Sequence, residues 1–79
     1  MNDPLIIEAA NRLAAEAQPH PEEAIEQIHL KIYGTPPPAR TLALLRARLD
    51  LLTPTAARKD ALAVVAQSLL TSNTFLYLR

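Results

Sequence analysis

The residues best suited to chemistry are two histidines, His20 and His29, and three clustered glutamates, Glu22, Glu23 and Glu26. A metal centre needs three or four converging ligands, and the spacing of these residues predicts no such set. The glutamates open a predicted helix, where acids interact favourably with the helix dipole, and they are more typical of such a solvated turn than of an acid/base pair. We therefore expect His29 to be a packing residue, His20 a loop or capping residue, and the glutamates a solvated first turn.

Other reactive groups are equally scarce. The chain has no cysteine, which excludes a thiol nucleophile, a disulfide and a Cys-based zinc site. Its single glycine cannot supply the backbone freedom that a nucleophile elbow, a phosphate-binding loop or a dinucleotide fingerprint needs. Ser68 and Ser72 have no base positioned by the pattern. We predict that the protein is not an enzyme and holds no cofactor and no metal; a piece of an enzyme is the weakest alternative.

Length and composition predict one small helical domain. The chain has 79 residues, of which 49% are hydrophobic and only 4% aromatic, so its core must be aliphatic. A domain of this size buries only about 60% of the surface of its unfolded chain, which makes its stability marginal. No apolar run approaches the roughly 18 residues of a membrane span, and the start of the chain lacks the pattern of a signal peptide.

Prolines and the glycine divide the chain into four predicted helices. The first has Asp3 as its cap and Pro4 as its first residue, and it ends before Pro19. The second opens with residues 21–23 and ends at Gly34, the natural left-handed terminator. No segment shows a clear strand pattern, so the predicted fold is all-α: a small bundle of four short helices with a C-terminal aromatic tail.

The other two helices follow a stiff proline connector, residues 35–38. The third begins at Pro38 or Ala39 and ends at residues 53–54. The fourth begins near Thr55 and stops at the polar residues 71–73, whose short side chains compete for backbone hydrogen bonds.

We expect the last third of the chain, residues 57–79, to organise the rest. The other helices should pack against its apolar stripe, and its tail should fold back and help to close the core. The stripe and the tail consist of Leu62, Val65, Ala66 and Leu69, then Phe75, Leu76, Tyr77 and Leu78.

The third helix carries leucine on two faces. One stripe is suited to the core and contains Leu42, Leu45, Leu49 and Leu52. Leu44 and Leu51 lie roughly opposite, so they predict contact with something beyond the core. The candidate interaction surface is Leu44, Leu51, Arg40 and Arg48. Its predicted partner is the rest of a parent polypeptide or a second copy of this chain.

Charge is unevenly distributed although the formal net charge is zero. Residues 1–30 hold six acids and one base, a net of −5, and residues 31–79 hold seven bases and two acids, a net of +5. The alternative function is therefore a small nucleic-acid-binding domain that uses the bases of the third and fourth helices. Against it stands a pI of about 6.7, well short of a strongly basic domain. The bases concerned are Arg40, Arg46, Arg48, Arg58 and Lys59.

Three short motifs suggest a family. They are residues 2–4 (NDP) opening a helix, residues 34–37 (GTPP) between helices, and residues 69–77 (LLTSNTFLY) near the end. In this order and spacing they resemble the C-terminal part of the Planctomycete surface domain, a family of unknown function whose pattern reads N-D-P, G-R-x-P and L-L-N-S-N-E-F. Thr35 replaces the family's arginine, Thr74 its glutamate, and residues 38–40 its T-P-E helix start.

The resemblance implies a context rather than an activity. Members occur in large bacterial proteins that often carry a cytochrome-c-type domain, whereas this chain has no haem attachment motif. It implies that residues 1–79 are the C-terminal part of a larger bacterial protein, exported or at the cell surface. Leu44 and Leu51 would then face the missing part of that protein.

Overall fold

Four helices separated by short turns make up the computed structural model. It describes the backbone of residues 3–17, 19 and 22–77, and side chains only as far as residue 72. The helices are α1 (Pro4–Ala17), α2 (Ala24–Tyr33), α3 (Ala39–Leu52) and α4 (Arg58–Tyr77). No strand occurs within these residues, which confirms the all-α, four-helix prediction.

The first helix begins as its sequence predicts. Asp3 Oδ1 accepts a hydrogen bond of 2.9 Å from the Leu5 backbone N–H, and the Asp3 carbonyl accepts one of 3.0 Å from Ile7. Pro4 loses nothing at the first position, because the N–H it lacks would have no partner inside the helix. The helix ends at Ala17, two residues before Pro19.

The second helix begins later than predicted. Glu22 and Glu23 form a turn and α2 starts at Ala24, so the prediction that Glu22 and Glu23 belong to its first turn is wrong. Pro21 lies outside the described residues. The reason is the backbone of Glu23, whose φ of −113° and ψ of 6° lie outside the α region. The end is as predicted. Gly34 has φ of 79° and donates its N–H to the Leu30 carbonyl at 2.8 Å.

The third helix follows Pro38, whose φ of −58° and ψ of 154° are those of an extended polyproline segment. The chain then turns through residues 53–57. Here two threonine hydroxyls donate to carbonyls three residues earlier, Thr53 to Asp50 at 3.2 Å and Thr55 to Leu52 at 3.3 Å. These local bonds hold Thr55 in the turn, so α4 starts at Arg58 rather than near Thr55.

The fourth helix does not stop at residues 71–73. It continues to Tyr77, so the predicted stop is wrong, and the chain does not fold back there before Tyr77. Short polar side chains can bond to their own helix, as Ser68 Oγ does with the Val64 carbonyl at 3.2 Å, and no glycine or proline follows to break it. The side chains of the predicted tail, Phe75 to Leu78, lie outside the described residues.

The core surrounds α4, as expected. This helix contacts each of the other three, and its most extensive contact is with α1. The largest fully buried side chains are Ile28, Leu62 and Val65. The buried residues of α1 are all alanines, Ala10, Ala14 and Ala17, and α4 also buries three alanines, Ala61, Ala63 and Ala66.

Candidate interaction surface on the third helix

The third helix lies at the edge of the bundle. It contacts α2 and α4, and within the described part of the chain it does not contact α1. Leu49 is its one buried residue, only 3% exposed. Its other core-facing leucines are partly buried against the cluster: Leu42, Leu45 and Leu52.

The opposite side of α3 is open to solvent, as the sequence predicts. Leu44 is 67% exposed and Leu51 is 80% exposed. Neighbours three and four positions away share this side of a helix. At these positions Arg40, Ala47 and Arg48 are exposed and Thr41 is partly buried. We name the exposed residues of this side, together with Ala43 beside Leu44, the α3 outer face: Arg40, Ala43, Leu44, Ala47, Arg48 and Leu51.

The α3 outer face has the dimensions of a helix-docking seam. At 1.5 Å per residue it extends about 16 Å along the helix from Arg40 to Leu51. Leu44 and Leu51 are one heptad apart, the spacing at which one side of a helix meets a partner helix. Ala47 lies between the two leucines and Ala43 lies beside Leu44. Their small side chains let the backbone of a partner helix approach closely.

The arginines of this face are unpaired. Arg40 and Arg48 make no ion pair or side-chain hydrogen bond with any described residue. Arg46, on the inner side of the same helix, differs. Its guanidinium donates to Glu26 Oε1 at 3.1 Å and to the Glu22 carbonyl at 3.3 Å, which ties α3 to α2. The predicted interaction surface therefore contains two cations, Arg40 and Arg48, that have no partner in the part of the chain that the structure describes.

The five bases of the nucleic-acid-binding hypothesis differ in whether they already interact with other residues of the chain. Arg46 is neutralised by Glu26, and Arg58 also has an interaction within the chain. A phosphate backbone would have to compete for both side chains. This division weakens the case for a nucleic-acid surface across α3 and α4, because such surfaces depend on several free cations in a row.

An open cleft lies between α2, α3 and the start of α4. Its volume is about 540 Å³, and it has an apolar floor with two acids and two bases at its rim. It is lined by Glu22, Ile25, Arg46, Leu49, Asp50 and Arg58. No buried side-chain nitrogen or oxygen among the described residues lacks a hydrogen bond. The formal charges of the four charged side chains that line the cleft balance.

His29 has the packing role expected of it. It is buried, its ring lies 4.5 Å from the Tyr33 ring between centroids, and Nδ1 is 2.7 Å from the Thr35 carbonyl. Because a carbonyl oxygen can only accept, Nδ1 carries the proton. The side chains described contain no group of three possible metal ligands. His20 lies outside the described residues.

Tyr33 carries a contact that the sequence does not reveal. Its hydroxyl donates to the Leu69 carbonyl at 3.0 Å and so joins α2 to α4. Burial raises the pKa of the Tyr33 phenol, since the charged form would lose its water. The apolar pattern places Tyr33 beside the core stripe, but no pattern encodes a bond between residues 36 positions apart.

Comparison with protein-family models, characterised proteins and solved structures found no match. The resemblance to the C-terminal part of the Planctomycete surface domain therefore stays a prediction. None of the helices, as far as they are described, is long and apolar enough to cross a membrane.

Proposed function

We propose that this chain is a helical protein-interaction module, without catalytic chemistry of its own, that docks through the α3 outer face. One observation carries the proposal: the helix that contributes Leu49 to the core also holds Leu44 and Leu51 at least two-thirds exposed, one heptad apart. Leucine in water is unfavourable, and an aligned pair on one helix is a feature of surfaces that become covered.

The proposed partners are the rest of a parent polypeptide or a second copy of the chain. The predicted family resemblance supports the first, because both leucines would then face the remainder of the parent. For the isolated chain, the available partner is a second copy. Burying a leucine fully is worth about 1.5–3 kcal/mol, whereas association costs about 4–15 kcal/mol of lost freedom. Two leucines per copy therefore support only weak, concentration-dependent self-association.

The test is a charge introduced at both leucines. Leu44→Glu combined with Leu51→Glu should leave the helical circular dichroism spectrum unchanged, since neither residue contributes to the core. Light scattering over a concentration series should show association in the unmodified chain and a monomer in the double variant.

The matched control is Leu5→Glu. Leu5 is 75% exposed, as much as the α3 leucines, but lies on α1. This variant should associate like the unmodified chain if the α3 outer face is responsible. A monomer at every concentration in the unmodified chain, or equal losses in the control and the double variant, would contradict docking of a second copy on α3.

A further inference from the structure

The two unpaired arginines identify the kind of partner that fits the α3 outer face. We infer that the preferred occupant of the α3 outer face is an acidic amphipathic helix from another polypeptide segment, with carboxylates on both borders of the apolar stripe of that helix. This inference rests on the proposed function. The inference joins two properties of one surface: exposed leucines, and cations that have no ion-pair or hydrogen-bond partner among the described residues.

The geometry sets where the carboxylates must lie. Arg40, Leu44 and Arg48 follow one another at intervals of four residues. The two guanidinium groups therefore start from points about 12 Å apart, one turn before and one turn after Leu44. A docked helix that covers Leu44 and Leu51 would place acids two turns apart beside these groups. Arginine pairs well with carboxylates because its planar fork can donate two hydrogen bonds at once.

Charge also separates this occupant from a second copy. A two-fold contact sets a patch against its own copy. An antiparallel pair centred on Ala47 brings Arg48 beside Arg48, and a parallel pair aligns Arg40 with Arg40. Asp50 is the one acid of α3, and it lies away from the centre of this side. Self-pairing should therefore strengthen with added salt, whereas binding of an acidic helix should weaken.

A nucleic acid fits this face less well. Its phosphates would satisfy Arg40 and Arg48, but Leu44 and Leu51 would stay in water. An acidic amphipathic helix fits both features of this face. Its apolar stripe covers the leucines, and the carboxylates that border the stripe pair with the arginines. Generic duplex DNA is accordingly included in the test as a competitor.

The experiment uses two synthetic helical peptides of about 20 residues, long enough to be helical when bound. Both have the same stripe of leucines and alanines; one is bordered by glutamates and the other by lysines. Fluorescence anisotropy of labelled peptide, titrated with the 79-residue chain, gives each affinity at about 0.1 M and about 1 M salt, where the screening length falls from about 10 Å to about 3 Å.

We expect the glutamate peptide to bind about tenfold more tightly than the lysine peptide at the lower salt. One exposed ion pair changes an affinity by a few-fold, and the two peptides differ by two attractions and two repulsions. Arg40→Glu combined with Arg48→Glu should reverse the order of the peptides. Leu44→Ala combined with Leu51→Ala, which alters no charge, should weaken both.

The outcomes separate this inference from the proposed function. Equal binding of both peptides that is lost in the alanine variant would overturn the acidic partner but leave α3 as the docking surface. Failure of the glutamate peptide to bind, or equally strong binding of duplex DNA, would overturn the inference. Self-association that salt strengthens and the glutamate peptide disrupts would support it. Self-association that the peptide leaves intact would show that a second copy is the occupant.

Discussion

α1 and α3 have the same length, fourteen residues, but they pack in opposite ways. α1 buries three alanines, and its contact with α4 is the most extensive in the bundle. α3 has six leucines and buries one of them. The helix with more large apolar side chains is therefore the less buried of the two.

The difference follows from where the apolar residues stand, not from how many there are. Ala10, Ala14 and Ala17 recur at intervals of four and three, so they form one face that lets the α1 backbone approach α4 closely. The leucines of α3 divide between two sides, and no single neighbour can cover both. α1 is thus a component of the core, whereas α3 contributes one side to the core and leaves the other side exposed.

The largest effect should separate a buried leucine of the core from an exposed leucine of α3 when each is truncated to alanine. Leu62 of α4 is fully buried, so Leu62→Ala should lower the free energy of unfolding by about 2–5 kcal/mol through lost burial and a cavity. Leu51→Ala on α3 is the matched control and should change it by no more than about 0.5 kcal/mol. Urea denaturation measures both. Similar losses would mean that the outer side of α3 is buried after all.

The next largest effect should come from enlarging an alanine where α1 lies closest to the core. Ala14 is fully buried, so Ala14→Leu should destabilise the fold by about 1–3 kcal/mol by forcing the helices apart. Ala15→Leu, one position along on the exposed side, controls for the change in helix propensity. Urea midpoints that shift equally in both variants would contradict close packing of α1.

A smaller effect is expected where α2 is joined to α4 by a side-chain hydrogen bond. Tyr33→Phe keeps the ring against His29 but removes the hydroxyl that donates to the Leu69 carbonyl, which should cost about 1 kcal/mol in urea unfolding. Tyr77→Phe, which leaves that bond intact, is the control.

The pH dependence of the same site checks its burial. The pKa of Tyr33 is raised in the fold, so the unfolded chain ionises first and the contribution of Tyr33 to stability is lost as pH rises through and above about 10. This alkaline loss should persist in Tyr77→Phe and be reduced in Tyr33→Phe. An identical alkaline profile in all three chains would show that the Tyr33 phenol is as well solvated as in the unfolded state.

Local signals predicted most of the fold. Asp3 before Pro4, the lone Gly34 and the two leucine stripes of α3 act within a few residues, so their consequences can be worked out from the sequence. The start of α2 was missed, because the acids near it suit a helix start although the backbone of Glu23 does not. The continuation of α4 past residues 71–73 was missed because polar residues can bond to their own helix.

The features that could not be predicted depend on contacts between residues that are far apart in the sequence. The sequence presents Arg46 as one base among several with Arg40 and Arg48, yet it pairs with Glu26, whereas the other two have no partner among the described residues. Only the packing of α3 against α2 decides which arginine meets an acid. The candidate surface could therefore be predicted as a set of exposed residues, whereas the two cations left without a partner could be recognised only in the fold.

The smallest effect should follow loss of the ion pair between α1 and α2, where Lys31 Nζ lies 2.6 Å from Glu16 Oε1 and both side chains are about half exposed. Lys31 holds the pKa of Glu16 below its usual range, so the contribution to stability is present near neutral pH and lost as pH falls through and below about 4.5. Glu16→Gln should lower the thermal midpoint slightly at pH 7, and less at high salt. A loss as large as that of Ala14→Leu would mean that charge, rather than its alanine face, holds α1 in the bundle.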